Sequence, residues 1–228
     1  MAAPPGLKLN VGCGIHVVSG YHNLDNSPSL RIQNNLCLRA AAHLLERVLR
    51  RRVYTRFPKD ARWCDVTQGL PYNPDRVKVI YSSHMLEHLP RKEAEQFLRE
   101  AYRVLMPQGI LRLAVPDLER MAQDYLTQLE RLPDGCFSGI PADEFMRKTL
   151  LGFETRWNLK RPTDLYRVLF GREGHAWMWD APSLIVVLRI VGFRQVWKRN
   201  FGESLIPEVE ELDSEGRRED SFYVEAQK

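Results

Sequence analysis

The chain has 228 residues, 44% of them apolar and 27% charged, with a formal net charge of +4. This describes one ordinary globular domain, long enough for a real core and an insertion, and it argues against extensive disorder. A charge this mild permits acidic ligands but gives no indication of nucleic acid.

No run approaches the ~20 apolar residues that span a bilayer. Met1 to Gly6 lack a signal peptide's charged and apolar regions, so cytoplasm is the expected compartment. Cys13, Cys37, Cys64 and Cys136 form no CxxC pair, which leaves zinc ribbons, redox motifs and a disulfide framework unsupported.

In chain order, residues 7–12 read as a buried strand ending in Gly12-Cys13-Gly14, and 21–25 as a short second strand ending at Asp25. Ten residues between Gly14 and Asp25 leave little room for a crossover helix, which needs about 10–12 residues with its connections. Apolar spacing predicts a helix over 35–52. Residues 61–66 form a strand ending near Asp65, Gly69-Leu70-Pro71 a turn, and 77–83 a strand. An amphipathic helix over 91–105 has Ala94, Phe97, Leu98, Ala101, Val104 and Leu105 on one face, and Met106-Pro107-Gln108-Gly109 stops it.

Residues 110–115 are the next strand, closed by Pro116-Asp117. Residues 118–180 carry no strand pattern and are expected as a helical insertion broken at Pro133-Asp134-Gly135, a candidate acceptor pocket or lid. A helix over 182–191, a strand from Gly192-Phe193 to Lys198, a mobile acidic hairpin over 202–220 and a last strand over 221–227 complete the chain. Strands alternating with helices imply a mostly parallel sheet covered on both faces.

In such a sheet, ligands sit beyond the carboxyl ends of the strands. Gly12-Cys13-Gly14 and Ser82-Ser83-His84 would both lie on that edge, where one small cofactor could bridge them. Glycines there let the backbone turn and approach a ligand without a Cβ, although a plain tight turn uses the same residues. The dinucleotide fingerprint would need glycine at position 17, which is Val17. Asp25 could accept ribose hydroxyls or serve the Asn26-Ser27-Pro28 turn. Asp65 could accept from an adenine amino group or cap a turn with Thr67.

These elements occur in order: a GCG turn, an acid ending the second strand and an acid after the third. Ser82-Ser83-His84-Met85-Leu86-Glu87-His88-Leu89 and Arg103-Val104-Leu105-Met106-Pro107-Gln108-Gly109 follow. The set resembles the class I S-adenosylmethionine-dependent methyltransferases, most closely the methyltransferase type 11-like group often associated with polysaccharide and sugar modification. It covers roughly residues 7–117 and 180–228. The resemblance implies a Rossmann-like, doubly wound α/β fold with a seven-stranded sheet ending in a reversed hairpin.

It further implies S-adenosyl-L-methionine as cofactor. Gly12, Cys13 and Gly14 would flank its amino-acid portion, Asp25 its ribose, and Asp65 with Val66 its adenine. Ser82, Ser83 and His84 would lie near the methyl group. Asn10 stands where the family commonly has an acid and His16 where it commonly has a further glycine, so the cofactor's tail is expected to be held differently, with Asn10 among its contacts.

Methyl transfer to a hydroxyl gains from a base of near-neutral pKa. The candidates are His84 and His175, the latter within Gly174-His175-Ala176-Trp177-Met178-Trp179-Asp180. Tyr21, His22 and Asp117 are weaker candidates expected at the same edge. His84-Met85-Leu86-Glu87-His88 also matches the H-x-x-E-H motif of inverzincins. That motif needs one helix through both histidines, whereas a strand runs to Ser83, so no metal is expected and His88 is read as packing the bend. A non-catalytic binding protein on the same fold is the other alternative.

Arg47, Arg50, Arg51, Arg52, Arg56, Lys59 and Arg62 lie with or beside Leu44, Leu45, Val48 and Leu49. This stretch could meet an anionic membrane surface, grip a phosphate-bearing substrate, or be a solvated face. Arg147, Lys148, Arg156, Lys160, Arg161, Arg167 and Arg172 add a second basic region, which favours an anionic small-molecule or glycan acceptor.

Overall fold

The computed structural model describes residues 6–50, 52–131, 140–151 and 174–228. Seven strands form one sheet: β1 (Leu7–Val11), β2 (His22–Asp25), β3 (Ala61–Trp63), β4 (Val77–Ser83), β5 (Leu105–Pro116), β6 (Gln195–Arg199) and β7 (Ser221–Gln227). Their order is β3-β2-β1-β4-β5-β7-β6. Neighbours from β3 to β5 pair in parallel, and β7 pairs antiparallel with both β5 and β6, so β7 alone is reversed. This is the α/β, Rossmann-like sheet expected. Its strand order reverses between β1 and β4, where the crevice of an open α/β sheet opens.

The helices are α1 (Pro28–Asn34), α2 (Leu36–Leu49), α3 (Arg91–Val104), α4 (Leu118–Glu130), α5 (Pro141–Thr149), α6 (Ala181–Val191) and the single turn α7 (Val209–Leu212). On α3, Ala94, Phe97, Leu98, Ala101 and Val104 are fully buried at helical spacing. With Leu184 and Leu188 of α6 they pack on Leu9, Val11, Ile80, Leu111 and Leu113. Each fully buried Leu or Phe contributes roughly 1.5–3 kcal/mol. Asp180 starts α6 by accepting from the Ser183 N–H at 2.8 Å, and Gly192 ends it at φ 124°.

Several expectations are corrected. Ser27-Pro28 is not a turn but the start of α1, with Ser27 as N-cap and Pro28 in the first turn, where its missing N–H costs nothing. The helix expected over 35–52 is α2, capped by Asn35 and ended by Arg50 in the left-handed region; Arg51 lies outside the described residues. The strand expected to Val66 stops at Trp63, and Val66–Gln68 form a 3-10 turn. β5 begins at Leu105, not at residue 110, and shifts register against β4 between Val77 and Val79, with Gln108 at φ 65°. The extra residues are absorbed as a bulge, which Pro107 and Gly109 suit.

The 202–220 segment is not a free hairpin. It carries α7 and lies on the other face of the sheet, where Ile206 and Leu212 bury with Val79, Tyr81 and Tyr21. Side chains alternate across a strand, so Arg112 faces this layer while Leu111 and Leu113 face α3. Arg112 is fully buried between Asp213 and Glu225. Of the expected insertion, α4, α5 and residues 174–180 are described; Pro133-Asp134-Gly135, Cys136, Arg156, Lys160, Arg161, Arg167 and Arg172 lie outside the described residues.

Candidate functional site

The carboxyl ends of β1, β2 and β4 converge at the reversal of strand order. Gly12 (φ 71°) and Gly14 (φ 53°) turn the chain out of β1 in conformations that side chains rarely adopt. The N–H groups of Gly12 and Cys13 donate to the Leu24 carbonyl at 2.8 and 3.1 Å. A Cβ at Gly12 would lie 2.5 Å from Met85, whereas one at Gly14 would meet no atom within 4 Å. Gly12 therefore answers to close packing as well as conformation, and Gly14 to conformation alone. The Cys13 thiol is pushed up to about 12 by burial, then by the charge of Asp25, so it is no nucleophile.

Asp25, half-buried, ties this turn to the end of β2. Its Oδ2 accepts from the Gly14 N–H at 2.8 Å and its Oδ1 from the Ser27 N–H at 2.7 Å. A carboxylate has about four acceptor positions, so each oxygen keeps capacity for a ligand hydroxyl. Asp65 begins the 3-10 turn that holds buried Val66. Its Oδ1 takes the Thr67 N–H (3.1 Å) and hydroxyl (2.8 Å), the capping role that sequence also allowed. Asn10 is buried, and its amide donates to the His16 carbonyl and to Asn23 Oδ1, both at 2.9 Å. Its donors thus hold the loop after Gly14. Asn23, which sequence did not single out, completes that brace through Val18 and Tyr21.

At the end of β4, Ser82 is buried beside Val11, and its hydroxyl has no hydrogen-bond partner among the described residues. Ser83 is half-buried. His84 takes a left-handed conformation (φ 50°), its N–H donating to the Ala114 carbonyl at 3.0 Å. His84 Nε2 lies 2.7 Å from Ser221 Oγ, and Nδ1 lies 3.3 Å from Glu87 Oε1 and 3.3 Å from Arg217. Only Leu86–His88 form a helical turn, and it is 3-10. The i, i+4 geometry of the inverzincin motif does not form, because His84 belongs to the strand end.

Residues 174–179 return to this turn. The N–H groups of Ala176 and Trp177 donate to the Glu87 carbonyl at 2.7 and 3.1 Å, and Trp179 bridges to Asp117 at the end of β5. His175 is thereby carried to 4.0 Å from Glu87 Oε1. Burial, the largest influence, holds its imidazole below the usual range. The two candidate bases, His84 and His175, thus meet around one carboxylate. Ser221 and Arg217 had carried no local signal for this site.

Asp117 is at the expected edge, as N-cap of α4. Tyr21 and His22 are not. They precede or begin β2 and so lie at the opposite end of the sheet from Asp25. Tyr21 donates to Glu208 at 2.7 Å, and His22 pairs with Tyr72 at 3.0 Å.

Fold and strand-end geometry together define an α/β domain with a crevice at the carboxyl ends of β1 and β4, the place where open α/β sheets take their ligands. Residues 9–113 match the family model described as a methyltransferase domain. The match covers a little under half of the chain, and those residues resemble a methyltransferase domain, a class of enzyme that uses S-adenosylmethionine. The chain is similar to solved S-adenosylmethionine-dependent methyltransferases at low identity. One from Thermotoga maritima, titled a possible histamine N-methyltransferase, is 14% identical with a TM-score of 0.46, over 100% of this chain and 84% of that one. One from Archaeoglobus fulgidus is 12% identical with a TM-score of 0.47, over 98% and 86%. None of the curated proteins matches the sequence.

Proposed function

We propose that the chain methylates an oxygen of a small-molecule or glycan acceptor, anionic in character, at the carboxyl edge of β1 and β4. The observation that carries this is the convergence of His84 and His175 on Glu87 beside the glycine turn. S-adenosylmethionine supplies an already activated methyl group, transferred in one displacement with inversion at carbon. The residues' share is alignment, which is worth much of such a barrier.

In this reading Gly12, Cys13 and Gly14 lie along the amino-acid portion, with Asn10 holding the loop above it. Asp25 takes the ribose and Asp65 with Val66 the adenine. The unpartnered Ser82 hydroxyl and the open side of Gly14 fit a polar ligand at this place. Ser83 and His84 border the reacting groups. His84 receives the acceptor proton, with Glu87 behind its Nδ1 to orient the ring. His175 lines the acceptor side, on a single domain whose 118–180 segment forms the pocket wall or lid. Labelled methyl transfer from S-adenosylmethionine to sugar nucleotides, lipid-linked sugars and lysate metabolites tests the reading. Label in a hydroxyl compound is expected; label confined to amines would overturn oxygen as the acceptor atom.

Asp25→Ala is expected to weaken S-adenosylhomocysteine binding by roughly 1–3 kcal/mol, the range for a charged or buried hydrogen bond, read by calorimetry. An unchanged titration would remove Asp25 from the site. His175→Ala should lower turnover and leave cofactor affinity nearly intact; wild-type turnover would remove His175 from the acceptor side.

No helix among the described residues is long and apolar enough to cross a membrane. We place the enzyme in the cytoplasm, which the free thiols of Cys13, Cys37 and Cys64 support. Peripheral membrane contact belongs to the same reading. On α2 only Ala42 is buried, while Leu38, Leu44, Leu45, Val48 and Leu49 are exposed on one side and Arg39 and Arg47 project from the other. An apolar face backed by basic residues suits an anionic surface. Co-sedimentation with phosphatidylglycerol vesicles, lost in Leu44→Glu/Val48→Glu and absent with phosphatidylcholine, is the expected result. Equal pelleting of wild type and variant would remove α2 from that role.

A further inference from the structure

We infer that Glu87, His88 and His175 form a binding site for a divalent transition-metal ion of the zinc class, with His84 at its edge. Their ligand atoms all lie within 4.8 Å of one another. A carboxylate and two imidazoles on one ion is a familiar donor set, and it leaves a coordination position open.

Glu87 is the reason to look for a cation. Its side chain is fully buried, and neither carboxylate oxygen has a hydrogen-bond partner among the described residues. A buried carboxylate left without partners is strongly destabilising unless a positive charge compensates it. Among the described residues no lysine or arginine is paired with it. The groups that face it are imidazoles: His84 at 3.3 Å and His175 at 4.0 Å.

His88 and His175 each have Nδ1 engaged and Nε2 left over. His88 Nδ1 lies 3.2 Å from the Gly174 carbonyl, which can only accept, so that nitrogen carries a proton and Nε2 is the atom left to reach an ion. His175 Nδ1 rests 3.2 Å from the Met178 sulfur, and its Nε2 is the atom facing Glu87. The rings of His88 and His175 meet edge to face, 5.1 Å between centroids. Two imidazolium rings so placed would repel, whereas two neutral rings can share one cation. A backbone carbonyl fixing the second nitrogen is also the usual support behind a metal-binding histidine.

The ligands come from two places far apart in sequence. The 3-10 turn Leu86–His88 supplies Glu87 and His88, and residues 174–177, bonded to that turn through the Glu87 carbonyl, supply His175. Ligands bound at about 2.0–2.2 Å sit roughly 3–3.6 Å from one another, so side-chain rotations of about an ångström close the set. At the proposed acceptor side, such an ion would hold an acceptor oxygen and favour its ionisation. That role rests on the methyl-transfer reading; the binding itself does not.

The test uses the full chain, stripped with a chelator and titrated with Co2+ as a spectroscopic probe. One equivalent should bind, with the intensified visible bands of a four- or five-coordinate ion, and Zn2+ should displace it. His88→Ala, His175→Ala and Glu87→Gln should each weaken binding tenfold or more, while His43→Ala, on the exposed face of α2, should not. Circular dichroism and S-adenosylhomocysteine titration check that the variants are folded. Absence of stoichiometric Co2+ binding in the wild type would overturn the site, as would unchanged affinity in folded His88→Ala and His175→Ala. Co2+ binding without S-adenosylhomocysteine binding would instead defeat the placement of the methyl donor and leave the metal site standing.

Discussion

Arg112→Ala is expected to destabilise the fold by about 3–5 kcal/mol, the usual cost of removing one partner from a buried ion pair. Every N–H of this guanidinium is engaged. Nε and Nη2 grip Asp213 at 3.0 and 2.5 Å, Nη1 reaches Glu225 at 3.1 Å, and the remaining donors meet the carbonyls of Glu203 (2.9 Å) and Asn200 (3.2 Å). Arg112 and Asp213 are both wholly buried at their side chains. Glu225, directly across from Arg112 on β7, keeps the Leu205 N–H at 3.1 Å when the arginine is removed. Asp213 keeps only the Gly202 N–H at 3.0 Å. The loss should therefore appear as release of the 200–213 layer. Urea unfolding measures it, and Arg112→Met combined with Asp213→Leu should recover part of it, because no buried carboxylate is then orphaned on that layer. A change under about 1 kcal/mol for the single substitution would contradict this account of the ion pair.

Gly12→Ala is expected to cost at least tenfold in S-adenosylhomocysteine affinity and to destabilise the fold. The left-handed backbone alone costs an ordinary residue roughly 1–2 kcal/mol. The added Cβ would also press on Cβ and Cγ of Met85 at 2.5 Å. Met85 stands between His84 and the buried anchor Leu86, so relief of the clash displaces the end of β4. Gly14→Ala is the control: its φ is also positive but its Cβ meets nothing, so it should show the backbone penalty without the clash. Thermal melts and calorimetry separate the two, and equal melting temperatures for both variants would show that Met85 does not constrain Gly12.

The strand ends were legible in sequence because each couples an apolar run to a local breaker. Gly12 and Gly14, Asp25 and Ser82 to His84 stand at such ends. The buried face of α3 followed from its spacing alone. α1 is hard to read from sequence because Asn26-Ser27-Pro28 suits a turn as well, although a serine before a proline also describes a helix start. The early start of β5 was hidden because Pro107 and Gly109 are breakers that a bulge can absorb. The 202–220 segment looked solvated because its acids are plain in sequence, whereas the arginine that buries Asp213 lies 101 residues away. Tyr21 and His22 lie away from the expected edge, because a strand reads the same from either end until its neighbours set its direction. The meeting of His84, Glu87 and His175 depends on where 174–179 docks, which no local pattern encodes.

Hydrogen exchange with and without S-adenosylhomocysteine asks most directly where the cofactor lies. Slowed exchange is predicted for peptides covering 12–16, 25–27, 65–68 and 82–86, with little change in β6 or at the amino ends of β1 and β4. Protection centred on those amino ends, or on the 200–213 layer, would contradict a cofactor seated at the carboxyl edge between β1 and β4.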